Sequence, residues 1–138
     1  GRKIRRWRLE NSNLEQTIYK AGWLGHPSTQ WVMASAYNYI WLYKHMMALN
    51  EEYKLRYNHT KDHLCIQKLG EVLSTPPTNA PINVMGTDAT PAMPDECKVP
   101  GDSVASYRKY YIMKKNRFAT WKTTIPTWYS EGLANANI

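Results

Sequence analysis

The chain has 138 residues and a formal net charge of +7, from 18 Lys and Arg against 11 Asp and Glu. That length suits one domain spanning 1–138, able to bury roughly two thirds of the surface its unfolded form exposes, and no run of about 18 apolar residues offers a membrane span. The positive surplus points to an anionic partner, nucleic acid before membrane, through long-range attraction and counterion release.

Residues 1–25 read as an irregular basic lead-in. Its first eight residues carry Arg2, Lys3, Arg5, Arg6 and Arg8. Gly22 and Gly25 interrupt any later pattern, leaving room for one short element. At His26-Pro27-Ser28-Thr29 the signals change to those of a helix start, with Pro for the first turn and Ser or Thr for a cap. The spacing of Trp31, Ala34, Trp41, Leu42, His45, Leu49, Tyr53 and Tyr57 predicts one helix over 28–57. Val32, Ile40, Met46 and Met47 make other faces apolar too, which suits the central helix of a bundle. Thr60 is a candidate cap for a second helix over 60–73, with Leu64, Leu69, Val72 and Leu73 as its stripe.

Between residues 74 and 101 stand six of the eight prolines, Pro76, Pro77, Pro81, Pro91, Pro94 and Pro100. They rule out a continuous helix or a central strand there. Met93 and Val99 are expected to anchor the later part of this loop, and residues 78–90 are expected to be loose. Asp102 or Ser103 caps a third helix over 103–122, with Val104, Tyr107, Tyr111, Phe118 and Trp121 turned inward. An extended aromatic tail follows. The expected fold is therefore all-α: a compact bundle of about three main helices with a long proline-rich loop.

The third helix carries Arg108, Lys109, Lys114, Lys115, Arg117 and Lys122, with no acid between Asp102 and Glu131. Six cations without a local carboxylate put a one-signed field on a solvated face. With the basic lead-in, this points to nucleic acid, against the plainer reading of a merely soluble surface. His26 stands where a helix N-terminus could bring a phosphate, or simply caps and packs. Trp128 and Tyr129 follow Pro126, where they either stack on a base or fold back onto the core. Glu52 and Arg56 have the i,i+4 spacing of a helix-surface ion pair. His59 and His63 share that spacing but imply no third ligand, and no metal or cofactor is expected. No phosphate-binding glycine loop or Ser-His-Asp signature is present. Cys65 and Cys97 are expected to remain reduced, and no leader resembles a signal peptide, which suggests an intracellular protein.

With these motifs placed, the chain resembles the phage-encoded pyrimidine-dimer DNA glycosylase family and its phage relatives. HPSTQWVMASAYNYIWLYKHMMALNEEYKLRY (26–57) looks like that family's central helix, including the initial His and the Glu-x-x-x-Arg of Glu52 and Arg56. AMPDECKVPGDSVASYRKYYIMKKNRFATW (92–121) resembles a later segment of the phage relatives, and PTWY (126–129) is similar to the family's aromatic tail. The resemblance implies duplex DNA as partner, location in the host cytoplasm, and base excision with AP-lyase activity. The chemistry would use an N-terminal amine as nucleophile and a glutamate from a first helix, forming an imine at C1′. No such helix is visible before residue 20, and in the relatives one precedes a segment like 1–22. The resemblance thus leaves two expectations, a catalytic helix upstream of Gly1 or a member that has lost the chemistry and kept the binding surface, and no catalytic residue is assigned. Phosphates are expected at Arg2, Lys3, Arg5, Arg6, His26, Arg108, Lys109, Lys115, Arg117 and Lys122, and bases at Trp128 and Tyr129. The alternatives are a non-catalytic module for DNA, RNA or nucleoprotein, and a phage structural or assembly component.

Overall fold

Ser35 splits what periodicity reads as a single helix. In the computed structural model, which describes residues 8–20 and 22–136, six α-helices run in chain order: α1 (Ser12–Thr17), α2 (Pro27–Met33), α3 (Ala36–Tyr57), α4 (Leu64–Leu69), α5 (Ser103–Tyr110) and α6 (Thr127–Asn135). Short 3₁₀ turns occupy Val72–Ser74 and Asp95–Cys97, and a π-helical turn, Tyr111–Lys115, continues α5. The described residues hold no strand, so the fold is all-α, as the sequence predicts. The chain divides into two compact units, Gly1–Thr87 and Asp88–Ile138.

In the first unit, α1 is the short element of the lead-in, capped by Asn11, whose side chain accepts from the backbone N–H of Asn13 and Leu14. Ser35 is extended (φ −157°, ψ 142°), and its hydroxyl accepts from Tyr37 N to cap α3. The same hydroxyl donates to Val84 O at 2.7 Å, while Ala36 N donates to Pro81 O at 3.0 Å. A serine competes well with helical backbone when its side chain can cap. Here the 81–84 segment completes the break, so the expected continuous helix over 28–57 becomes α2 and α3. The segment expected to be loose is tied down further at Thr87. Asn38, 2% exposed, donates from Nδ2 to Trp31 O and Thr87 Oγ1, and accepts from Thr87 N at 2.9 Å.

α3 ends where predicted. Asn58 takes the left-handed conformation (φ 51°, ψ 43°) that asparagine tolerates at a C-cap, and its N–H bonds Lys54 O. The expectation that α3 is a buried central helix does not hold. Its buried residues are Ala36, Asn38 and Asn50, while Tyr37, Ile40, Trp41, Leu42, Leu49, Leu55 and Tyr57 are exposed. Residues 60–73 do not form one helix either. Thr60 is not the cap; His63 is, with Nδ1 accepting from Cys65 N, and α4 stops at Gly70. A Cβ on Gly70 would stand 2.7 Å from Ile66 O, closer than a side-chain carbon comes to a carbonyl oxygen. Leu69 is buried, but Leu64 and Val72 face solvent.

The α3–α4 connection is locked by Asn50, whose Oδ1 accepts from His63 N at 2.8 Å and whose Nδ2 donates to Asp62 Oδ1 at 2.7 Å. Lys54 Nζ bridges Asp62 at 3.1 Å and Glu51 at 2.8 Å. The Asn50 amide first, and then Lys54, hold the Asp62 carboxyl below its ordinary range. A lowered carboxyl stabilises the fold above its unfolded pKa, and that contribution is lost as pH falls through the folded value. Thermal melts of the chain and of Asp62→Asn should therefore differ near neutrality and converge progressively below about pH 4. A constant difference across that range would show that Asp62 acts through packing and not through its charge.

In the second unit the proline-rich loop is fastened onto α5, as the anchors Met93 and Val99, both half-buried, suggest. Val99 to Asp102 form a tight turn closed by Asp102 N to Val99 O at 3.1 Å, with Gly101 supplying the positive φ of 76° that such a turn requires. Ser106 is fully buried; its Oγ accepts from Val99 N and donates to Asp102 O. Two carboxylates cap the helix: Asp102 accepts from Ala105 N, and Asp88, fifteen residues upstream of the donor, accepts from Ser103 N at 3.2 Å. Both favour the positive end of the helix dipole.

The third helix does not reach residue 122, since regular structure ends at Lys115. Val104, Tyr107, Tyr111 and Phe118, expected to turn inward, are exposed, while Trp121 is half-buried. The extended tail is also corrected: after Pro126 the chain forms α6. This helix passes close to the π turn at Gly132, where any Cβ would collide with Ile112. The reward for that approach is a packed ring cluster. Tyr129 is 5% exposed, with ring centroids 5.3 Å from Trp121 and 5.6 Å from Trp128.

Candidate nucleic-acid interface

The residues expected to touch nucleic acid separate into three groups. Arg2, Lys3, Arg5 and Arg6 lie outside the described residues. His26, Trp128 and Tyr129 have structural roles. His26 caps α2, its Nδ1 accepting from Ser28 N at 3.1 Å, so the imidazole occupies the place proposed for a phosphate. Tyr129 is buried and Trp128 half-buried in the ring cluster, with Arg108 Cζ 5.6 Å from the Trp128 ring centroid. Neither tail aromatic is a free platform for a base, because α6 turns both back onto the unit's own core.

The remaining cations lie on or just after α5. Arg108, Lys109, Arg117 and Lys122 are exposed, Lys122 in the irregular stretch before α6. Lys114 is not part of a one-signed face, since its Nζ pairs with Glu96 Oε1 at 3.0 Å. That hydrogen bond holds the Glu96 carboxyl low and the Lys114 ammonium high. Asp95 is likewise held low by Lys98, 2.7 Å away. The two acids of the Asp95–Cys97 turn are thus each matched by a lysine. Among the described residues, Lys115 and Arg117 make no ion pair with a carboxylate.

What Lys115 and Arg117 do make is contact with rings. Lys115 Nζ sits 5.0 Å from the centroids of both Tyr110 and Phe118, and Arg117 Cζ lies 5.4 Å from that of Phe118. These are cation–π distances, and the attraction keeps the charges beside the rings without neutralising them. Phe118 is 53% exposed. Together with Pro94, Met113, Lys114 and Asn116, these four residues line a pocket of about 510 Å³. The π turn places them: its wider winding breaks the helical spacing just before Asn116 to Phe118, and such turns recur at functional sites. Sequence reading singled out Lys115 and Arg117 but turned Phe118 inward and passed over Tyr110, Met113 and Pro94. The one available signal was the cation–aromatic interleaving of YYIMKKNRF.

The first unit offers a different cavity, about 330 Å³, lined mainly by Val32, Met33, Leu42, Met46, Leu73 and Pro77. Tyr39 and Tyr43 also line it, but their hydroxyls are committed to Leu73 O and Gly70 O. Asn79 adds one amide to a lining that is otherwise mostly apolar. Glu52 Oε1 and Arg56 Nε are 2.6 Å apart with both side chains about a third exposed, a surface pair of small energetic weight. The nearby histidines are engaged elsewhere, His45 stacked on Trp41 and His63 against the edge of Tyr53. Both cysteines are free, and among the described residues no three potential ligands gather as a metal site. No family model, curated protein or solved structure matches this chain.

Proposed function

We propose that this protein binds nucleic acid through Lys115, Arg117 and the rings of Tyr110 and Phe118, with the exposed Arg108 and Lys109 of α5 as further phosphate contacts. The observation that carries the reading is the pair of carboxylate-free cations, Lys115 and Arg117, both held over the exposed Phe118 ring at one pocket, with Lys115 also beside the half-buried Tyr110 ring. A polyanion supplies the negative charge that the chain does not place there, and the surplus of +7 attracts it from a distance. The base-excision activity implied by the glycosylase resemblance is a narrower form of the same proposal, and this face could serve a catalytic or a purely binding protein.

Salt dependence tests the reading. The logarithm of the binding constant should fall linearly with the logarithm of salt concentration. Lys115→Gln and Arg117→Gln should each flatten that slope by about 0.7 to 0.9, the contribution of one phosphate contact. Lys114→Gln, whose ammonium already faces Glu96, should change it less. Binding without a salt slope would count against a phosphate partner.

A further inference from the structure

The pocket is open to solvent and has the rings of Tyr110 and Phe118 in its lining, whereas a duplex offers phosphates and base edges but keeps its base faces stacked inside. Phosphate contacts alone would need only the cations. Tyr110, Met113 and Phe118 add apolar and aromatic surface that a duplex backbone cannot use. From this geometry we infer that the pocket takes single-stranded nucleic acid, with one unstacked base against Phe118 and its flanking phosphates on Lys115 and Arg117.

This inference rests on the nucleic-acid reading above and departs from the duplex partner implied by the resemblance. Three observations support it. Phe118 is exposed to half of its surface although apolar, so its ring is available at the pocket. Lys115 and Arg117 rest on the rings instead of on carboxylates, so an arriving phosphate can draw both away without breaking an ion pair. Drawn outward, they uncover the ring face on which a base stacks, and the Arg117 guanidinium plane is itself a stacking surface. The matched pairs Glu96–Lys114 and Asp95–Lys98 flank the site without leaving a free carboxylate to repel the strand. Stacking of this kind tolerates any base, so the expected preference is for strandedness more than for sequence. Sugar identity is left open by a pocket of rings and cations, and DNA and RNA strands are the two sources to compare.

The test uses the full chain and fluorescence anisotropy with labelled oligothymidylate, oligouridylate and a blunt DNA duplex at one fixed salt concentration. One or both single strands should bind more tightly than the duplex. Phe118→Ala should weaken single-strand binding about tenfold, the effect of removing one stacking ring, and weaken duplex binding less, so that the preference for single strands falls. Phe118→Leu keeps apolar bulk but has no π face, so it should lose single-strand binding as the alanine variant does, with an unchanged melting temperature. Duplex binding as tight as single-strand binding, or full binding by Phe118→Leu, would overturn the inference while leaving the nucleic-acid reading intact. Failure of all three probes to bind at low salt would instead overturn the reading on which it rests.

Discussion

Asn38→Ala is expected to lower the unfolding free energy by about 3 kcal/mol. The asparagine is 2% exposed and joins three parts of the first unit: its own helix α3, the end of α2 through Trp31 O, and the far segment through Thr87. Alanine would leave Thr87 N and Trp31 O without the amide that pairs them, at about 1 to 3 kcal/mol for each polar group stranded away from water. Asn38→Asp keeps the acceptor for Thr87 N but loses both donations and puts a charge where Trp31 O faces it, so it should be no milder. Urea unfolding gives the magnitude, and amide exchange at Thr87 gives the location. Loss of stability with Thr87 still protected would show that the hydrogen bond to Asn38 is not what holds this segment.

Tyr129→Ala should cost a similar amount, about 3 kcal/mol or more, because it removes a buried ring against which Trp121 and Trp128 pack. Tyr129→Phe, which keeps the ring, should cost less than about 1 kcal/mol. The pair separates the two roles open to this residue. A stacking residue exposed in a tail would lose nucleic-acid affinity on truncation to alanine while the melting temperature stayed constant. The buried position predicts the opposite: the melting temperature falls, and the phenylalanine variant restores it. Gly132 belongs to the same arrangement, since any Cβ there would force the Ile112 side chain out of its place between α6 and the π turn.

Local signals in the chain were sufficient for several features. Asp102 caps α5 as its residue type suggests, the helix that begins at Pro27 starts where the Pro-Ser-Thr run places it, and α3 ends at Tyr57 before an asparagine able to adopt a left-handed cap. The excess of cations after Ser106 was equally legible, and Lys115 and Arg117 remain the centre of the proposed interface. Each of these depends on a residue and its near neighbours along the chain, which is the range over which helix periodicity and capping act.

Several of the features misread depend on partners far away in sequence. Ser35 ends one helix and starts another because its hydroxyl meets Val84 O, forty-nine residues on, a contact that periodicity over 28–57 has no means of registering. Phe118 has an inward position on a helical wheel drawn to Lys122, but the π turn and the end of helix at Lys115 rotate it to the surface beside two cations. Lys114 reads as a free cation until the Asp95–Cys97 turn brings Glu96 to it across the loop. For Tyr129 the sequence leaves base stacking and core packing both open, and the formation of α6 decides for the core. The sequence by itself determined the helical class, the Asp102 cap of α5, the end of α3 and the sign of the charge, because those follow from neighbours within a few residues. Which helices break, which rings are covered and which cations stay unmatched was decided only by the tertiary structure, since hydrogen bonds and ion pairs between distant segments outweigh the local preference for a continuous helix.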